Sequence, residues 1–165
     1  MKETKMKAPS QTQCAYVAGF VDADGCITVG KSKHEGSSRY PNPTYSAVVH
    51  IGNRNLAVLR KIQALFGGSI RKSKKLCNTT VGFFPDLNRY QLYGAKARGM
   101  LRAILPYLVV KREEAELVLS LNQKQWGWRK LSQAEVDERE QVYQRIKAIH
   151  QSRKSNIFIS KDHAK

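Results

Sequence analysis

The sequence predicts an α+β fold, an antiparallel sheet with helices on one face. Three observations carry that prediction. Leu56, Leu59, Ile62, Leu65 and Phe66 fall on one face of a helix. CITVGKSK and TYSAVVHIG, on either side of a proline-containing loop, read as strands. The full order is helix, two strands, helix, two strands, helices, which is the pattern of a sheet with segregated helices.

Each element has its own local signals. Residues 1–9 are polar and basic, end at Pro9 and are expected to be flexible. Ser10 with Gln13 makes a capping box. The helix it opens is expected to reach about Asp24, with Gly25 as its C′ residue. Cys26–Lys33 and Thr44–Gly52 are the first two strands, and Pro41 and Pro43 break the loop between them. Asn55–Phe66 is a helix ended by Gly67 and Gly68. Ser69–Cys77 is a strand with a basic end, and Asn88–Gly94 is a fourth strand after a bend near Pro85 and Asp86. Two helices follow, Ala95–Leu105, stopped by Pro106, and Lys111 to about Lys124. Trp126, Gly127 and Trp128 form a turn with aromatic anchors. Ser132 with Glu135 opens a last helix to about His150, with Val136, Tyr143, Ile146 and Ile149 as its apolar stripe. Residues 151–165 read as a polar, basic tail.

At 165 residues one domain is the default, placed here at 10–150. Lys and Arg number 29 against 13 Asp and Glu, a net charge of +16. Such an excess favours a polyanionic partner, nucleic acid before an acidic membrane surface. The apolar runs are too short to span a bilayer. The three lysines of Met1–Lys7 have no apolar run directly behind them, so no secretory signal is expected. Cys14, Cys26 and Cys77 form no C-x-x-C pair, which suits a reduced, intracellular compartment. His34, His50, His150 and His163 have no ligand spacing, so no structural zinc is expected.

The segment CAYVAGFVDADGC, Cys14–Cys26, needs a closer reading. From Cys14 to Val21 it holds no charge and no amide side chain. A helix apolar all round must be buried all round. Val17, Phe20 and Val21 suit the chain's own core. Ala15, Gly19 and Ala23, four residues apart, form a smooth ridge that lets a second helix approach closely. An ordinary core helix with chance alanines is the alternative. Asp22 and Asp24 point roughly 200° apart on a helix, so they do not easily share one metal within a chain. One of them, at the helix end, is placed to meet its copy from another chain, and such a pair would suit a hard divalent ion. A solvated helix end is the plain reading of an isolated D-x-D.

VAGFVDADG, Val17–Gly25, closely resembles the signature of the LAGLIDADG homing endonucleases. The resemblance extends over roughly 10–122, where the element order matches that family's αββαββα core with its saddle-shaped antiparallel sheet. IGNRN, Ile51–Asn55, and PYLVVKREEAELVL, Pro106–Leu119, also resemble family segments, the second being the stretch with a basic active-site lysine. The motif occurs once, which implies the homodimeric branch, with the second neighbour of the apolar helix being the partner's identical helix. The resemblance implies Mg²⁺- or Mn²⁺-dependent hydrolysis of double-stranded DNA at a long near-palindrome, leaving 3′ overhangs. It makes Asp24 a metal ligand with the Ala23 carbonyl nearby, and Asp22 structural. Lys111 matches the lysine at the scissile region. Asn53 stands where relatives have Gln or a similar polar residue orienting water, Arg54 is a candidate for a nearby basic role, and Asn55 stands where relatives often have Asp. Without the resemblance, Lys111 simply opens a helix that carries Glu113, Glu114 and Glu116.

The sheet is the expected reading surface, since a β-ribbon fits the major groove. Alternation places Thr28, Gly30 and Ser32 on one face, opened by Cys26. Thr44, Ser46, Val48 and His50 join them, and Arg71, Ser73, Arg89 and Gln91 extend the platform. Lys33, Lys72, Lys74 and Lys75 are expected on phosphates. Residues beyond Asn122 lie outside the shared core, and Arg153, Lys154 and Lys161 are expected in a disordered tail. A non-cleaving scaffold stays open as a rival, either an intron RNA maturase or a DNA-binding regulator, and so does its own intron RNA as a partner. A structural RNA-binding protein would fit the charge but gives no reason for DADG. An organelle (chloroplast or mitochondrion) and a bacterial or phage cytoplasm are equally compatible compartments.

Overall fold

The computed structural model describes residues 8–32, 43–72, 87–121 and 131–159, with side chains to Arg153. Lys33, Ser73, Lys74, Lys75, Cys77, the Pro85–Asp86 bend, the Trp126–Trp128 turn and Lys161 lie outside the described residues.

The first helix, α1 (Gln11–Asp24), opens on the expected capping box, with Ser10 Oγ accepting from Gln13 N and Gln13 Oε1 accepting from Ser10 N. It buries one stripe only, Cys14, Val17, Ala18 and Val21. The chain then turns straight into β1 (Gly25–Ser32). Gly25 ends the helix as expected, but its φ is −89°, an extended value and not the left-handed one common at such positions. Glycine is needed there for a different reason: a Cβ would lie 2.6 Å from Val21 O.

β1 pairs antiparallel with β2 (Thr44–Asn53), β2 with β4 (Asn88–Tyr93), and β4 with β3 (Ser69–Lys72), giving the order β1-β2-β4-β3. Between them α2 (Leu56–Phe66) is capped by Asn55, whose Oδ1 accepts from Ala57 N and Val58 N. α3 (Gly94–Ile104) follows β4 with no loop, and Gly94 takes φ +58°, a turn that side chains disfavour. A 3₁₀ turn, Leu105–Tyr107, leads by way of Leu108–Lys111 to α4 (Arg112–Ser120).

One face of the sheet carries Ile27, Val29, Ala47, Val49, Ile51, Tyr90 and Leu92, all buried. The helices cover it with Val17, Val21, Leu59, Ile62, Met100, Leu101, Ile104 and Val118. Each of the larger side chains contributes roughly 1.5–3 kcal/mol by leaving water. The other face carries Cys26, Thr28, Gly30, Ser46 and His50, all partly exposed. No described helix is long and apolar enough to cross a membrane.

The last helix, α5 (Gln133–Ile159), runs past His150 into what the sequence presents as a tail. It packs on β1 and α4. Against β1 it places Glu140, which accepts from Lys31 Nζ at 2.7 Å and Tyr45 Oη at 2.5 Å, while Lys31 also lies 5.5 Å from the Tyr143 ring centroid. These hydrogen bonds, Lys31's first, hold the Glu140 carboxyl from its ordinary 4.5 down to about 2. A depressed carboxylate stabilises the fold above its unfolded pKa and loses that contribution as the pH falls through the folded one. Stability from this group is therefore complete above about pH 4.5 and lost towards about pH 2. Glu140→Gln should flatten the acid limb: urea midpoints across that range should fall less steeply than the wild type's. Parallel curves would show that the cluster adds nothing to the fold.

Candidate active site and nucleic-acid interface

The two aspartates of DADG leave the end of α1 in different directions, as helical geometry requires. Asp22 turns back onto its own chain. Its Oδ2 accepts from Val109 N at 2.8 Å and its Oδ1 from Lys111 N at 2.9 Å. It thus ties the segment before α4 to the end of α1, a structural role. Lys111 closes the same contact by donating from Nζ to the Asp22 carbonyl. The pKa of this half-buried ammonium is lowered, by burial first. The Asp22 charge works against that shift, and Arg153 adds to it.

Asp24 is exposed, and so is Ala23. The Asp24 Oδ2 accepts from Asn53 Nδ2 at 2.8 Å, and Asn53 Oδ1 accepts from Asn55 N at 2.7 Å. Asn53, at the end of β2, therefore connects the α1 carboxylate to the cap of α2. Asn55 is explained by that cap. Arg54 is exposed, and its carbonyl accepts from Asn88 Nδ2 at 3.4 Å. Asp24, Asn53 and Lys111 thus gather around the end of α1.

The donors there are hard oxygens, the Asp24 carboxylate and the Ala23 carbonyl, which suit Mg²⁺ or Mn²⁺ rather than a soft metal. Among the described residues no three His, Cys, Asp or Glu side chains cluster tightly enough to hold an ion. The described residues bring one exposed carboxylate and one exposed backbone carbonyl to this point, Asp24 and Ala23.

The open face of the sheet carries the residues that alternation assigned to it. Thr28 pairs with Val48, Gly30 with Ser46, Ser32 with Thr44, His50 with Gln91, and Arg71 with Arg89. Val48 is on this face but only 4% exposed, packed where a Cβ on Gly30 would come within 3.1 Å of it. Arg71 directly opposite Arg89 is a like-charge pair, unfavourable unless an anion lies over it. Burial, then the Arg89 charge, pushes the His50 pKa down, which favours its neutral imidazole.

One group on this surface, Tyr93, is not singled out from sequence, and another group, Arg153, has a different setting from the one expected. Tyr93, 51% exposed at the end of β4, donates to Gln91 Oε1 at 3.1 Å and stands edge-on to His50. Its pairing register with Val48 places it on the open face. Arg153, expected in a disordered tail, instead lies on α5 and donates to Glu114 and to Val110 O.

α1 also has an outward side. Ala15, Gly19 and Ala23 are exposed, and nothing lies within 4 Å of a Cβ built on Gly19. Tyr16, half exposed, flanks this ridge with its ring centroid 5.2 Å from that of Phe20.

Comparison with known proteins points the same way. A family model described as LAGLIDADG endonuclease matches residues 17–102. The DNA endonuclease I-CvuI of Chlorella vulgaris is 32% identical over 115 residues, which are 69% of this chain and 66% of that protein. The fold matches the crystal structure of the homing endonuclease I-CvuI in complex with its target, with a TM-score of 0.66 at 24% identity over 84% of this chain and 82% of that one. It also matches the I-SmaMI LAGLIDADG homing endonuclease bound to cleaved DNA, with a TM-score of 0.58 at 20% identity over 78% of this chain but only 42% of that one.

Proposed function

The chain belongs to the LAGLIDADG endonuclease family, and from that premise we propose that it is a homing endonuclease acting as a homodimer. Two copies pair through α1 and cut both strands of a long, near-palindromic double-stranded DNA site, leaving 3′ overhangs. The observation that carries this reading is the placement of Lys111 and Asp24 at the same end of α1, Lys111 on the Asp22 carbonyl and Asp24 on the Asn53 amide. The 42% coverage of I-SmaMI supports pairing, because this chain corresponds to about half of that one.

The chemistry follows from the residues. Asp24 and the Ala23 carbonyl would hold a divalent ion, which when bound supplies the charge that polarises the scissile phosphodiester and stabilises the departing oxygen. Asn53 fixes the Asp24 carboxylate through its amide. Lys111 offers a desolvated positive charge to the scissile phosphate, where it offsets the charge that develops in the transition state. Asp22 keeps the backbone of Lys111 in place. The sheet face reads bases through Thr28, Ser46, His50, Gln91, Arg71, Arg89 and the newly found Tyr93, and the Arg71–Arg89 pair has its repulsion relieved by phosphate or guanine oxygens.

Asn53 also gives a specific ground for the rival, a non-cleaving maturase or regulator on the same scaffold. Both ends of its short amide are engaged within the chain, on Asp24 and on Asn55 N. A plasmid library of randomised near-palindromes separates the readings. Metal-dependent double-strand cuts at one defined sequence, absent with EDTA, are expected. Selective binding with no cut at any metal would replace the endonuclease by the regulator.

A further inference from the structure

Lys111 sits on a segment with little packing of its own. Val109 and Val110 are 83% and 56% exposed, so apolar burial does not pin them. Asp22 grips the segment from the α1 side, taking the amides of Val109 and Lys111. The carbonyl between those two amides, that of Val110, is taken from the other side by Arg153 Nη2 at 2.7 Å.

The same guanidinium makes a two-pronged pair with Glu114, from Nη2 to Oε2 at 2.9 Å and from Nη1 to Oε1. Glu114 is fully buried in the first turn of α4, where a carboxylate also suits the helix dipole. A buried carboxylate needs a partner, and α5 brings one from 39 residues away. Only a planar fork can hold the carboxylate and reach a third oxygen at once. Helix docking alone explains the Glu114 contact. It does not explain the bond to the residue next to Lys111.

We infer that Arg153 is a positioning residue for Lys111, and that α5, beyond the segment matched by the family model, is a working part of the active site. This rests on the endonuclease reading for its catalytic consequence but not for its geometry.

The test must avoid leaving Glu114 buried and unpaired, since Arg153→Ala alone would unfold the corner. The double variant Glu114→Met with Arg153→Met removes the pair as a unit, a replacement that buried ion pairs tolerate. It should melt near the wild type and bind DNA in Ca²⁺ with wild-type affinity. Amide exchange at Val109 and Lys111 should rise about tenfold or more as the segment loosens. Single-turnover cleavage should slow about 10–100-fold, the cost of a displaced catalytic group. In a Lys111→Met background the same pair of changes should slow cleavage no further. Arg153→Lys should keep the fold and recover only part of the rate.

Unchanged exchange at Val109 and Lys111 would overturn the inference. So would an equal loss of rate in the Lys111→Met background, because Arg153 would then act by another route. A wild-type protein that cuts no DNA would remove the endonuclease reading instead, and the exchange measurement would still decide the clamp.

Discussion

Asp24→Asn should abolish cleavage and leave DNA binding intact. The substitution keeps shape and keeps an oxygen for the Asn53 amide, so the local hydrogen bond survives. It removes the single negative charge that the exposed end of α1 offers to a divalent ion. Loss of a group that places charge at the reacting phosphate costs about 10²–10³-fold in rate or more. On the proposed reading affinity comes from elsewhere, from the sheet face and from phosphate contacts favoured by the +16 net charge. Removing a carboxylate beside DNA lessens its repulsion of the phosphates, which offsets the loss of any metal-bridged contact. Gel shifts in Ca²⁺ with cleavage in Mg²⁺ separate the two quantities. A variant that cuts at the wild-type rate would remove Asp24 from the site.

Gly19→Leu should convert the dimer to monomers and take cleavage with it. Within one chain the position is open, with nothing inside 4 Å of an added Cβ. Leucine is also a better helix former than glycine by roughly 0.8 kcal/mol, so the isolated helix gains. Any damage must therefore come from a second chain. Between two ridges of Ala15, Gly19 and Ala23, a leucine would force the helix axes apart and undo close contact along the whole seam. The separated copies would each keep a complete sheet but only half of the catalytic arrangement. Sedimentation velocity should give a monomer with wild-type helical content. A dimer of unchanged affinity would place the interface away from α1.

Much of this was legible in the sequence because its signals are local. Ser10 with Gln13, the stripe in α2 and the alternation in β1 and β2 each depend on neighbours within one element. The separation of Asp22 from Asp24 follows from helical pitch alone, and the structure assigns them different contacts accordingly. What escaped depends on contacts distant in sequence. The reach of α5 to Ile159 was missed because part of its anchoring is Arg153 on Glu114, a residue of another helix. Tyr93 follows Arg89 and Gln91 in strand alternation, so its face was legible, but its 51% exposure there was not. Val48 lies on the assigned face but is only 4% exposed. Alternation assigns a face, but only packing decides whether a side chain on it reaches solvent. Gly25 was recognised as the end of the helix but not for its close backbone approach, since that and a left-handed turn both select glycine.

The most direct measurement is the topology of a plasmid carrying the selected near-palindrome after incubation with the wild-type protein. In Mg²⁺ the account predicts conversion from supercoiled to linear DNA, with both strands cut a few bases apart and 3′ overhangs at the ends, and no conversion in EDTA. Supercoiled plasmid persisting in Mg²⁺ while the protein stays bound at its site would contradict it, and would leave the scaffold as a binder that has lost its chemistry.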